Sequence, residues 1–198
     1  MGLSLVTAAD GEPVSLEEAK LHLRVDIDTD DDAIMGYIAA ARAYLEEITG
    51  RSFVSQTWDY TIDNEWPWIL NLDTGGHEQV IELPKAPLVS VTSITYVDSN
   101  GSNQTLASNQ YVVDGANVIG RIYPAYDVDW PTVRTQNRAI TVRFVAGYGT
   151  MLAVPEALKQ ALLLMVGHFY AMRSPVGPAT SEAPMAVSAL AAPYRIYW

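Results

Sequence analysis

Histidines, carboxylates and aromatic side chains are the residues of this chain whose types suit chemistry, and their spacing argues against most of it. The three histidines, His22, His77 and His168, lie far apart, and none sits in a metal-binding spacing such as HExxH. His168 falls on an apolar stretch and reads as a core residue; His77, among glycines, reads as a solvated turn residue. The chain has no cysteine, which removes disulfides, thiolate zinc sites and cysteine nucleophiles. Asp26, Asp28 and Asp30 alternate as calcium-loop ligands do, but that loop needs glycine at its sixth position and glutamate at its twelfth. Asp31 and Tyr37 stand there, so the acidic run reads as the first turn of a helix, capped by Thr29 or Asp30. The nucleophile elbow GxSxG, the phosphate loop GxxxxGK[ST] and the dinucleotide fingerprint GxGxxG are absent. Trp58, Trp66, Trp68 and Trp130 have the chemistry of a sugar-binding face, although aromatics in strands are more often core or interface material. Arg134 and Arg138 form a small basic patch that reads as a solvated loop or a salt-bridging edge, not as a nucleic-acid site. No residue is assigned a catalytic, cofactor-binding or metal-binding role, and the chain is expected to be no enzyme and to carry no cofactor.

Composition sets the frame for what positions these groups. The 198 residues are 49% apolar, enough for a core in one domain or one body with an insertion. The net charge of −11, from 23 acids against 12 bases, excludes adhesive binding along nucleic acid, because phosphate affinity comes from clustered Lys and Arg. It does not exclude DNA passing close by. The first residues lack the basic start and apolar core of a secretory signal, and Val6 stands where a myristoylation motif wants Ser or Thr. The apolar run of the last helix is about a dozen residues, short of the ~20 a membrane span needs.

The elements follow from pattern. Ser15 with Glu18 predicts a capping box opening a short helix whose face carries Leu16, Ala19 and Leu23. Ile34, Ile38, Ala41, Leu45 and Ile48 give a second helix an apolar seam, ended by Gly50. From 53 to 150 short β-rich runs alternate with breakers at 73–76, at Pro84 with Pro87, and at Asp98-Ser99-Asn100-Gly101, which reads as a hairpin turn; six to eight strands are expected. Val142, Phe144 and Ala146 alternate with Thr141, Arg143 and Val145 as in a half-buried strand, and Gly147 and Gly149 mark a sharp exit from it. Pro155 and Glu156 then open a helix apolar almost all round, which must be buried on several sides. The predicted fold is α+β: a small helical bundle of two N-terminal helices (1–53) and one long C-terminal helix (151–173), a large inserted antiparallel β-domain (54–150), and an extended C-terminal linker and docking tail (174–198).

Several blocks carry a resemblance. LPKAPLVSVTSITYVDSNGSNQTL at 83–106, Tyr111-Val112-Val113-Asp114, Trp130-Pro131 followed by ITVRFVAGYG, VPEALKQALLLMVGHFYAMR and ALAAPYR run in series, with the two early helical blocks before them. Together they resemble the head–tail connector (adaptor) proteins of long-tailed bacteriophages over nearly the whole chain. Two places depart from the family pattern. Tyr170 is followed by Ala171-Met172-Arg173-Ser174 in place of Glu-Asn-Arg-Glu, and the usual double leucine of the tail is Leu190-Ala191.

The resemblance implies a structural protein of the virion neck, made in the host cytoplasm and without membrane contact. It implies a homo-oligomeric ring, a dodecamer in the virion, that docks beneath the portal protein and extends the DNA channel. Such a ring offers a platform to a stopper or tail-completion protein, and DNA passes through it without specific binding. A ring needs head-to-tail interfaces that close by rotation. Ala39, Ala40, Ala43 and Arg173 are candidates for that interface. Leu190, Pro193, Tyr194, Arg195, Ile196, Tyr197 and Trp198 are candidates for docking on the portal or a neighbouring subunit. Deletion of the residues after Ala189 is expected to remove portal binding and leave the fold intact. The competing readings are a stopper or tail-terminator protein of the same neck, and a carbohydrate- or receptor-binding β-module.

Overall fold

The computed structural model describes residues 1–71, 76–172 and 185–197 and shows an α+β protein whose chain divides into two compact units. Arg173, Trp198, most of the turn at 73–76 and the linker stretch 174–184 lie outside the described residues. One unit is built of Met1–Ala8 and Ser55–Gly147, the other of Ala9–Val54 and Tyr148–Trp198.

The β unit centres on a five-stranded antiparallel sheet. Its strands are β1 (Gly2–Thr7), β2 (Gln56–Ile62), β6 (Leu88–Val97), β7 (Asn103–Thr105) and β10 (Ile140–Ala146), in the order β1-β2-β10-β6-β7. Strand β10 lies in the middle, with Val142 opposite Tyr60 of β2 and Ile94 of β6. Its alternation is as predicted: Ile140, Val142, Phe144 and Ala146 are buried while Arg143 is exposed. A three-stranded sheet, β5 (Ile81–Glu82), β9 (Arg121–Pro124) and β8 (Tyr111–Asp114), adds Ile81 and Ile122 to the same core. Strands β3 (Trp68–Asn71) and β4 (Gly76–Gln79) form a separate pair.

Three expectations need correction. The first eight residues belong to the β unit and not to the helices, because β1 pairs with β2, Leu5 opposite Trp58. Nine of the ten described strands fall in the stretch 53–150, more than the six to eight expected there. The run QVIEL splits at Val80 into β4 and β5, and Asn103–Thr105 closes a hairpin too short to carry a pattern. His77 is not a turn residue: it stands in β4, opposite Leu70, because the ladder runs on to Gly76.

The helical unit holds α1 (Leu16–Leu23), α2 (Asp31–Thr49), α3 (Glu156–Ala171) and α4 (Met185–Ala191). Its core joins Ala19 of α1, the seam Ile34, Ile38, Ala41 and Leu45 of α2, and Leu158, Ala161, Leu162 and Val166 of α3 with Val187 and Ala191 of α4. The capping box is formed: the Glu18 amide donates to Ser15 Oγ at 3.1 Å, and the Ser15 amide to Glu18 Oε2 at 2.7 Å. Gly50 ends α2 with φ of 70°, the left-handed conformation that glycine adopts without strain. Asp30 occupies the N-cap position of α2, but no capping bond forms. Its carboxylate instead accepts the Tyr170 hydroxyl at 2.6 Å, tying the start of α2 to the end of α3.

The predicted turn at 98–101 shows how a carboxylate fixes register. Asp98 Oδ1 accepts the Asn100 and Ser102 amides, both at 2.9 Å, and Oδ2 accepts Gln104 Nε2 at 2.9 Å. The Ser102 amide, then the Gln104 side chain, hold the Asp98 carboxyl below its ordinary range. A carboxyl with a lowered folded-state pKa stabilises above its unfolded value, about 4, and loses that contribution as pH falls through the folded value. Asp98→Asn is therefore expected to lower the thermal midpoint at pH 7, with the difference from wild type shrinking below about pH 4. Parallel melts across that range check it.

Candidate functional site

Among the described residues no group of three or more His, Asp or Glu side chains could hold a metal ion, and no helix is long and apolar enough to cross a membrane. The tryptophans are mostly taken up within the β unit. Trp66 is buried and stacks on Trp130 with ring centroids 4.4 Å apart; their indole N–H groups donate to the Pro131 and Gln79 carbonyls. The Lys85 ammonium lies 5.5 Å from the Trp58 ring centroid, and Trp68 is exposed. Trp66 builds core, with Trp58 and Trp130 packed against it, which leaves Trp68 as the exposed ring of the four. The backbone under the basic patch is fixed: Arg134 and Arg138 donate their main-chain amides to the Val97 carbonyl and to Asp63.

The candidate surface of the helical unit is its C-terminal segment, and Arg51 organises it. Just past Gly50, Arg51 places its guanidinium about 6 Å from the ring centroids of both Tyr148 and Tyr194, and its Nε donates to the Tyr194 carbonyl at 2.6 Å. Two further bonds follow: Arg195 Nε to the Ile48 carbonyl at 3.0 Å and the Ile196 amide to the Thr49 carbonyl at 3.0 Å. These carbonyls close α2, where helix oxygens lack intrahelical partners, so the segment supplies the missing donors. The Tyr148 hydroxyl is buried with no aligned hydrogen bond among the described residues. Burial pushes its pKa up, and the Arg51 charge beside it pulls the other way.

The docking candidates therefore separate into two groups. Leu190 and Tyr194 are half-buried against the helical core, and Ile196 is half-buried at the end of α2. Pro193, Arg195 and Tyr197 are exposed, with the Arg195 guanidinium 5.9 Å from the Tyr197 ring centroid. Of the ring-interface candidates, Ala40 and Ala43 lie on the open side of α2 and Ala39 is half-buried. Arg51, the clamp itself, escapes sequence reading because an arginine after a helix cap reads as a charge beside the dipole.

A second network closes the other side of α2. Arg42 binds Glu12 through both Nε (2.7 Å) and Nη2 (3.2 Å), and its Nη1 reaches Glu46 at 3.1 Å. Glu46 Oε1 accepts the Phe53 amide at 2.7 Å, so one buried carboxylate holds both the helix and the chain that leaves it.

The organised side chains of this α+β chain fasten its own segments to one another. Comparison with known proteins gives the family. The model of the Phage gp6-like head-tail connector protein matches residues 13–118, more than half of the chain. The chain belongs to this family of head–tail connectors, which are structural neck proteins of virions and not an enzyme family. No curated protein matches. Among solved structures the chain is similar over 100% of its length to a chain in the virion of a native gene transfer agent particle, covering 97% of it at 25% identity and a TM-score of 0.79. It is similar over the same shares to a chain in the neck of an empty particle of that agent computed with C6 symmetry, at 29% identity and a TM-score of 0.78. A chain in the neck of the native particle computed with C12 symmetry shares the fold, at 24% identity and a TM-score of 0.73.

Replacing Arg51 by methionine keeps bulk and removes both the Tyr194 bond and the charge over the rings. We expect faster amide hydrogen exchange in 185–197 and a stability loss of about 1.5–3 kcal/mol, as for a hydrogen bond to a charged group. Unchanged exchange there would mean that α4 and the Arg195 and Ile196 bonds to the end of α2 hold the segment without Arg51.

Proposed function

We propose that this chain is the adaptor of a phage-like neck: it closes into a ring beneath the portal, extends the DNA channel and joins capsid to tail. The observation that carries this reading is the full-length likeness to a neck chain at 29% identity, combined with the family match. The neck of that particle was computed with C6 symmetry. A dodecamer, the state that the family resemblance implies, is compatible with a sixfold axis. The net charge of −11 suits a channel wall along which DNA slides without adhering. Portal docking falls to the exposed members of the C-terminal segment, Pro193, Arg195 and Tyr197, with Trp198 beyond them. The half-buried Leu190, Tyr194 and Ile196 hold that segment in place.

This division changes how docking is tested. Removing everything after Ala189 also removes Ala191 from the core and all three bonds to the end of α2, so lost binding could reflect a loosened unit. Tyr197→Ala removes an exposed ring and its contact with the Arg195 guanidinium, and leaves the three bonds to the end of α2 in place. The test is the light-scattering mass of the chain, alone and mixed with the portal protein encoded beside it. A joint ring-sized particle is expected, with affinity for the portal lowered about tenfold or more by Tyr197→Ala, as for an aromatic interface anchor. No association between two folded components would overturn the adaptor reading in favour of a stopper or tail terminator.

A further inference from the structure

Two strands of the β unit leave apolar side chains at an open sheet edge. Strand β1 ends the five-stranded sheet, with β2 on one side and no strand on the other. All six of its residues are exposed, among them Leu3, Val6 and Leu5, the last at 49%. Strand β8 ends the three-stranded sheet in the same way and exposes Val113 and Val112, the latter at 53%. An open edge carries backbone N–H and C=O groups that another strand can pair, and natural sheets guard it with Lys, Pro, bulges or short strands. Neither β1 nor β8 holds a Lys or a Pro. The register break in β1 comes after Leu5, so Gly2–Leu5 is a regular run of four residues. β8 is regular over four residues as well, Tyr111 to Asp114.

The remaining edges of these two sheets do not match. β7 is three polar residues, Asn103, Gln104 and Thr105, and β5 is two residues with Ile81 buried. Charge points to the same pair of edges. Copies of a chain with net charge −11 repel where their acidic surfaces meet. β1 is uncharged, and the one charge of β8, Asp114 at its end, accepts the Ala116 amide and the Asn117 side chain. A ring also needs contact between two different surfaces of the chain. β1 and β8 are different surfaces that are alike in length and apolar character.

We propose that the outer edge of β1 pairs with the outer edge of β8 in a second copy of this chain, so that sheets of neighbouring copies join around the ring. Main-chain groups of both edges gain partners. Successive residues of a strand point to opposite faces, so Val112 and Val113 meet side chains of β1 on both faces of the joined sheet. The contact runs head to tail, and it rests on the ring reading above.

Three measurements test it. Val112→Lys places on an exposed position the charge that guards natural edges. Its monomer should melt close to wild type, while the concentration for half-assembly of the ring, alone or on the portal, rises about tenfold or more. Amide hydrogen exchange in 2–5 and 111–114 should slow when the wild-type ring forms. The third uses the absence of native cysteine. Ser4→Cys and Val112→Cys chains, mixed and treated with a bismaleimide that reaches about 10 Å, two strand spacings, should give covalent dimer, and either variant alone should give none. A ring of wild-type mass without that dimer, a Ser4→Cys chain that links to itself, unchanged exchange, or a Val112→Lys chain that assembles as wild type overturns the contact and leaves the adaptor reading standing. Absence of any ring, alone or with portal, overturns both.

Discussion

A helix that is apolar around most of its circumference has no stable existence until other elements surround it, and α3 is such a helix. Leu158, Ala161, Leu162, Leu163, Met165 and Val166 are all buried in it. No single neighbour covers that many directions. The helical unit answers by bringing α1, α2 and α4 against α3, from segments that lie on both sides of the β-rich stretch in sequence. Hydrophobic burial stabilises by about 1.5–3 kcal/mol per large side chain, and α3 alone buries several of them. The polar fastenings, from Tyr170 on Asp30 to Arg42 between Glu12 and Glu46, then select one arrangement among those that bury the same surface.

The same logic explains what the organised side chains described above do: they fasten segments. Arg42, Arg121 and Arg143 meet carboxylate partners within the chain. Arg51 is the clearest case, because it satisfies a carbonyl, lies beside two tyrosine rings and fixes the segment that follows α4. A connector needs surfaces held in known positions, and rigid segments bearing exposed aromatic and cationic groups provide them.

What is legible in the residues is local or periodic. The Ser15–Glu18 box spans three residues, the α2 seam repeats every three or four, and β10 alternates strictly, so each can be read without knowing the fold. The Asp98 turn is legible for the same reason. Strand β1 is not: all six of its residues are exposed, so no buried face imprints a pattern, and its partner β2 lies some fifty residues away. The Trp66–Trp130 stack and the Arg51 clamp are meetings of residues remote in sequence, invisible to any window along the chain. Lys159 is hidden in another way, because a lysine in a helix reads as solvent-facing, whereas its environment is set by α1 folding across it. Family membership comes from many weak blocks in the right order, a signal of a different kind from any one site.

The bonds that fasten residues 194–196 to the end of α2 also have a mechanical meaning. Three of them, from Arg51 to Tyr194, from Arg195 to Ile48 and from Ile196 to Thr49, join two short stretches side by side. Tension on the chain terminus meets several of these bonds together instead of peeling them one after another, and it passes into α2, whose seam lies in the centre of the core. A joint in the neck of a particle can be pulled as well as compressed. In such a joint the strength of the link depends less on how tightly the last residues grip a neighbour than on how firmly they are rooted in their own subunit.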